Sequence, residues 1–301
     1  MKNTHEVNSK DVKSVEPLTV AGRLKAGGKV FSVEFYHPDI RERREALFCN
    51  AKKLKAFSPD FVFTTDIAGA EFGKAVSIIK RLKVAAGGEL VACLTCAKHS
   101  RGEIAGICVR LKSIGVKNIL ALRGDMSKLK SPVPGRDWQH ASRLIEEVKK
   151  TGGFCLGGAC YPEKHPEAPT LESDIDHLKE KVDAGAEYLV TQYFFDNSSY
   201  FRFLEKTAAA GINVPILPGL LPIHVYLDGA GRNMEVAIPK PLQRGIERWS
   251  GNRNGLLNFS ANYVLTQAAD LLRGGAPGLH IYTLTHSFAA EVVLKSLRRA
   301  Q

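Results

Sequence analysis

The chain reads as an α/β protein, a single-domain (β/α)8 TIM barrel, and three observations predict it. Short apolar runs alternate with helix-periodic runs from Val30 onward, the pattern of βα units on a parallel sheet. Eight strand-like runs can be counted, the number a closed barrel needs. Four helix ends share one punctuation, in LKSIGVKNILAL, KVDAGAEYLVTQ, TAAAGINVPILP and LLRGGAPGLHIY. In each, an amphipathic run stops at glycine, which accepts the left-handed backbone that ends a helix, and a strand follows. The rival is a doubly wound open sheet. It needs fewer strands and a glycine-rich loop after the first, where this chain has VEFYHPDI.

In chain order, residues 1–20 are polar and unpatterned, a flexible N-terminal arm, and 21–301 form the barrel. The strands are Val30–Phe35, Phe61–Thr65, Leu90–Thr95, Asn118–Leu122, Phe154–Cys160, Tyr188–Gln192, Pro215–Gly219 and Leu279–Thr283. The stretch Ile223–Asn258 holds GAGRN, two prolines and SGNRNG, and reads as an irregular excursion with one helix. No apolar stretch approaches the ~20 residues that span a bilayer. The N-terminus lacks the pattern of a secretory signal, so a cytoplasmic protein is expected. The six cysteines lie in or beside apolar runs, as small hydrophobes of a reducing compartment do.

Lys and Arg exceed Asp and Glu by 42 − 31 = 11. Such a balance favours anionic partners. The charges are scattered and have no aromatic-basic platform beside them, so nucleic acid is not expected. Cys93-x-x-Cys96 sits on a strand without a second pair, and no metal is expected. The sequence leaves a homo-oligomer open.

Barrel enzymes gather their chemistry at the C-terminal ends of strands. Here those ends carry Glu34, then Thr64, Thr65 and Asp66, then Thr95 and Cys96, then Arg123-Gly124-Asp125. The fifth strand runs into ACYPEKHPEAP, with Tyr161, Glu163 and His165; the sixth ends at Gln192 and the eighth at Thr283. Three prolines make the fifth loop stiff, as one wall of a rim must be. Glu34 alternates with Val33 and Phe35, so one face of its strand must take a carboxylate. An unpaired carboxylate under the outer helices costs several kcal/mol, on the order of a buried charge; the inward, rim-facing side fits better. Asp174 and Lys181 share one face of the helix after strand five, where solvent-exposed charges are the default.

SVEFY, CLTC, ILALRGD, YPEKHPEA, LKEKVDAGAEYLVTQYFFD and PILPGLLP stand in the order and spacing of the methylenetetrahydrofolate reductase family, and YTLTHSFAAEV matches its last barrel unit. The chain resembles that family from about Val30 to Pro222, and again from near Asn258. The resemblance implies a barrel that binds FAD along its rim, takes a hydride from NADH or NADPH, and then binds folate in the same place. The hydride passes to the methylene carbon of 5,10-methylenetetrahydrofolate, giving 5-methyltetrahydrofolate, or the reaction runs in reverse in one-carbon catabolism.

Position by position, Glu34 matches the general acid that protonates N10 as the imidazolidine ring opens, and a carboxylic acid in a part-apolar pocket suits that task. Asp125 matches the aspartate near the flavin that hydrogen-bonds the pterin and favours the cationic iminium. Gln192 matches a residue that meets pterin and nicotinamide in turn. Arg123, Gly124, Asp125, Tyr161, His165 and Ala168 match flavin contacts. Asp174 and Lys181 match ribose and phosphate contacts, and Thr65 and Ala141 further cofactor positions. Departures are Cys93 for a usual histidine, Thr65-Asp66-Ile67-Ala68 for a TYGA-like segment, Phe35-Tyr36-His37-Pro38 for FFPP, and His286 for the arginine that helps hold the folate tail. A protonated His286 can still pair with a glutamate tail. The competing readings are a methyl-transferring folate barrel, a flavin- or folate-binding subunit without reductase activity, and a flavin-independent NADH-dependent reductase.

Overall fold

The computed structural model describes residues 19–36, 41–65, 72–97, 99–124, 140–229, 236–284 and 286–299. Its strands are β1 (Val30–Phe35), β2 (Phe61–Thr64), β3 (Glu89–Thr95), β4 (Asn118–Leu122), β5 (Cys155–Cys160), β6 (Tyr188–Thr191), β7 (Ile216–Leu217), β8 (Gly219–Leu220) and β9 (Gly278–Leu284). They form one parallel sheet in the order β7-β6-β5-β4-β3-β2-β1-β9-β8. The pieces β7 and β8 are one predicted strand interrupted at Pro218. Its first half pairs with β6 (Leu189↔Ile216) and its second with β9 (Gly219↔His280). Eight strand positions therefore close a ring, as predicted.

Alternation decides what lies inside the ring. Val30, Phe61, Phe63, Val91, Cys93, Leu120, Cys155, Tyr188, Val190 and Leu217 form an inner cluster. Their neighbours Val33, Phe35, Val62, Ala92, Leu94, Ile119, Leu156 and Leu189 pack outward against the helices. The helix α1 (Val20–Lys25) plugs the N-terminal end: Val20 and Ala21 join the inner cluster, and the Val20 amide donates to Asn118 Oδ1 at 3.0 Å. Thr19 caps α1, so Thr19 and Val20 of the expected arm belong to the folded unit, while residues 1–18 lie outside the described residues.

The remaining helices are α2 (Arg41–Lys55), α3 (Phe72–Ala86), α4 (Arg101–Ser113), α5 (Ala141–Thr151), α6 (Leu171–Ala184), α7 (Asn197–Ala209), α8 (Ile223–Leu227), α9 (Lys240–Trp249), α10 (Arg253–Arg273) and α11 (Phe288–Arg299). Helix α4 ends as the sequence signals, with Gly115 at φ +77° just past its C-cap. The stretch Ile223–Asn258 corrects the sequence reading. It contains α8 and α9, and α10 starts at Arg253. Its prolines start a helix instead of breaking one: Pro239 is the N-cap of α9 and Pro241 lies in its first turn, where a missing N–H costs nothing. Among the cysteines Cys49 is exposed and the other five are buried, none in a disulfide. No described helix is long and apolar enough to cross a membrane.

Candidate active site at the barrel mouth

Glu34 is the last inward residue of β1, directly opposite Tyr282 of β9, and only 8% of it is exposed. Its Oε2 lies 3.3 Å from Nε2 of His280, itself fully buried, and the other ring nitrogen of His280 lies 2.9 Å from Ser32 Oγ. When the Ser32 hydroxyl donates to the Leu279 carbonyl (3.3 Å), Nδ1 carries the imidazole proton and Nε2 faces Glu34 as an acceptor. Phe63 and Tyr282 fence the imidazole, each with its ring centroid at 4.6 Å and nearly edge-on. A carboxyl group and an imidazole thus share a hydrogen bond out of bulk water. Just beyond, the register slips between Glu34 and Phe35, Thr283 Oγ1 donates to the Glu34 carbonyl at 2.6 Å, and Leu284 takes a left-handed φ of +54°. A bulge of this kind re-aims the side chains beside it.

A second cluster stands at the ends of β4 and β5 and the start of α6. Arg123, Ala141, Tyr161, His165, Ala168, Asp174 and Lys181 all line one cavity of about 170 Å³. Six of these seven were matched from separate motifs of the sequence, and Ala141 from a weaker one. Asp174 Oδ2 accepts from the His165 amide at 2.9 Å, and the His165 Nδ1 accepts from the Glu167 amide at 3.1 Å. In the neutral ring the proton therefore sits on Nε2. Burial, and then the Arg123 charge, lower the His165 pKa, which keeps the ring neutral. The Tyr161 ring stands edge-on to it at 4.7 Å, and burial pushes the phenol up to about 12.

Lys181 corrects the expectation of a solvent-facing charge. It is partly buried, its Nζ donates to the Ala159 carbonyl at 2.9 Å, and burial lowers its pKa. Arg123 makes a two-pronged pair with Glu167 at 2.6 and 2.5 Å, and this pair raises its pKa. Helix α5 begins beside both cations at His140 and Ala141, and the N-cap residue His140 makes no side-chain capping bond. Two cations and an open helix start suit a phosphate-bearing ligand. Gly124 turns the chain there at φ +93°, where a Cβ would lie 3.3 Å from Thr95. Asp125 and Asp66 lie outside the described residues.

Gln192 follows β6, with its Oε1 accepting from the Tyr193 amide at 3.0 Å. Thr65 follows β2 and its amide donates to the Phe35 carbonyl. His286 lies apart from the cavity: its Nε2 is 3.9 Å from Asp228 Oδ2, and its ring is edge-on to His224 at 5.9 Å. Glu163, read as a rim residue, ties the mouth together, accepting from Ser199 Oγ at 3.2 Å and from the Ala237 amide at 2.9 Å.

Sequence reasoning missed Ser32, His280, Tyr282, His140 and His177. The last two stack at 5.1 Å beside the α5–α6 cavity. His177 was findable, since it lies three residues after Asp174 and four before Lys181 on the same helix face.

A family model described as "Methylenetetrahydrofolate reductase" matches residues 19–298. The chain is 32% identical over 269 residues to the 5,10-methylenetetrahydrofolate reductase of Salmonella typhimurium (strain LT2), covering 88% of this chain and 90% of that one. Against the protein of the same name from Escherichia coli (strain K12) the figures are again 32%, 88% and 90%. Methylenetetrahydrofolate reductase (NADH) 1 of Arabidopsis thaliana is 30% identical over 307 residues, 93% of this chain and 51% of that one. Among solved structures, an uncharacterized protein from Clostridium thermocellum that binds two copies of 5-methyl-5,6,7,8-tetrahydrofolic acid superposes with a TM-score of 0.62 at 14% identity, over 93% of this chain and 99% of that one. That likeness speaks for the fold alone.

Proposed function

The chain belongs to the methylenetetrahydrofolate reductase family, and from that premise we propose that it reduces 5,10-methylenetetrahydrofolate to 5-methyltetrahydrofolate with NADH or NADPH, by hydride transfer through bound FAD in two half-reactions at one site. The observation that carries this reading is Glu34, buried at the inward end of β1 and hydrogen-bonded to His280, at the same mouth as the two-cation cavity. FAD, when bound, supplies a two-electron store that one flat partner fills and the next empties.

The chain's own residues divide the remaining work. Lys181, Arg123 and the open start of α5 would hold the cofactor phosphates, with Asp174 and the His165 Nε2–H as polar contacts beside them. Gln192 would meet the flat ring of each substrate in turn, and Asp125 would favour the cationic iminium. Glu34 would give its proton to N10 of the substrate as the bridging C–N bond breaks. Hydride then reaches the methylene carbon, and Glu34 would be reprotonated from solvent through the open mouth before the next turnover. A general acid of this kind contributes about 10²–10⁴-fold. The same groups would serve the reverse reaction, in which Glu34 takes the proton back.

The test is the visible spectrum of the purified protein. A yellow protein that bleaches anaerobically with NADH or NADPH and recovers with methylenetetrahydrofolate supports the reading. One that never bleaches is a binding subunit, and a colourless one with NADH-dependent turnover transfers hydride directly.

A further inference from the structure

Tyr282 touches both halves of the mouth. It stands opposite Glu34 in the sheet register, and its ring lies edge-on to His280 at 4.6 Å. The hydroxyl reaches across the barrel and donates to the Thr191 carbonyl at 2.8 Å, the peptide that leads into Gln192. On the way the ring passes over Gly219, where a Cβ would sit 2.6 Å from Tyr282 Cε2 and 2.3 Å from the Thr191 oxygen. No other residue type leaves that path open. The same Thr191 is fixed by its side chain, since Oγ1 accepts from the Gly219 amide at 2.8 Å. The bulge at Thr283 comes directly after Tyr282 and sets its aim.

The phenol proton is committed to Thr191, and burial together with the Glu34 charge keeps the hydroxyl protonated. Tyr282 is thus no proton donor to a substrate. We infer that Tyr282 is a positioning residue for the folate-reducing step, a strut that fixes the separation between Glu34 on β1 and Gln192 on β6. This rests on the reductase reading above, in which those two groups face the same substrate. Bound geometry off by about 1 Å can cost about a hundredfold in rate. Cofactor reduction uses Gln192 but asks nothing of Glu34, so it does not depend on the separation between the two and is slowed less.

The experiment compares wild type, Tyr282→Phe and Gly219→Ala in anaerobic single turnovers of the purified flavin-loaded protein. Tyr282→Phe keeps the ring and removes only the hydrogen bond; Gly219→Ala pushes the ring off its path. Reoxidation by methylenetetrahydrofolate slowed about 10- to 100-fold in both variants, with bleaching by NADH slowed at least about fivefold less, supports the strut. Reoxidation at the wild-type rate in Tyr282→Phe, or equal slowing of both half-reactions, overturns it. A wild-type protein that does not bleach and recover sinks the reductase reading instead. The strut is then decided by amide exchange at Gln192 and Tyr193: acceleration of about fivefold to tenfold in Tyr282→Phe supports it, and no change overturns it.

Discussion

The two sides of the barrel mouth are built from opposite kinds of chemistry. On the β4–β6 side stand Arg123, Lys181, Asp174 and Glu167, charged groups in explicit pairs and around a cavity. On the β9–β1 side stand Ser32, His280 and Glu34, a buried hydrogen-bonded chain, fenced by the rings of Phe63 and Tyr282. The first arrangement fits holding an anion in place; the second fits moving a proton. One barrel can host both because consecutive βα units deliver side chains to the same mouth from opposite walls.

The sharpest way to break this comparison is Glu34→Gln. Under the role proposed for Glu34, reoxidation by methylenetetrahydrofolate should fall about 10²- to 10⁴-fold, while bleaching by the nicotinamide stays within about twofold. Equal loss of both would erase the division. Next in size is Lys181→Met, which removes the half-buried cation on the other side. The FAD dissociation constant, read by equilibrium dialysis, should rise about 10- to 100-fold, the worth of one charge-assisted hydrogen bond, and reoxidation of the remaining loaded protein should be unchanged.

A third test uses pH. His224, buried beside His286, has its Nδ1 at 2.8 Å from Ser260 Oγ and no partner for Nε2 among the described residues. Burial, and then the neighbouring His286, lower its pKa to about 4. Below about pH 6.5 the unfolded chain takes up a proton at this histidine that the folded chain refuses until about pH 4. Folding stability contributed by neutral His224 is thus complete above pH 6.5 and is lost as pH falls toward 4. On the order of 3 kcal/mol is expected. Denaturant titrations should show that slope in wild type and a flatter one in His224→Gln. The smallest effect belongs to Glu167→Gln, whose partner Arg123 is charged regardless; Glu167 is 60% exposed, so about 0.2–1 kcal/mol is lost.

The ring of strands was legible because inward and outward positions alternate in every run, and the inward placement of Glu34 followed from the apolar character of Val33 and Phe35. The cluster around the α5–α6 cavity was legible only as three motifs matched separately, around Arg123, around Tyr161 and His165, and around Asp174 and Lys181, which the fold brings to one cavity. The proton-side cluster was not. Glu34 and His280 are 246 residues apart, and nothing local marks a histidine in a strand as the partner of a carboxylate in another. Lys181 was read as solvent-facing because helix periodicity gives a face and not its depth. The prolines of Ile223–Asn258 misled because the same residue ends helices and begins them.

Pro218 has one further consequence. It splits the seventh strand, so that β7 meets β6 through two residue pairs and β8 meets β9 through two, whereas every other joint carries four or more. A hoop with one short-toothed seam breathes there first, and the amides of Ile216, Leu217, Gly219 and Leu220 should be the quickest of the barrel strands to take up deuterium. That seam runs between the wall of paired charges and the wall around Glu34, and the Tyr282 hydroxyl is stitched straight across it.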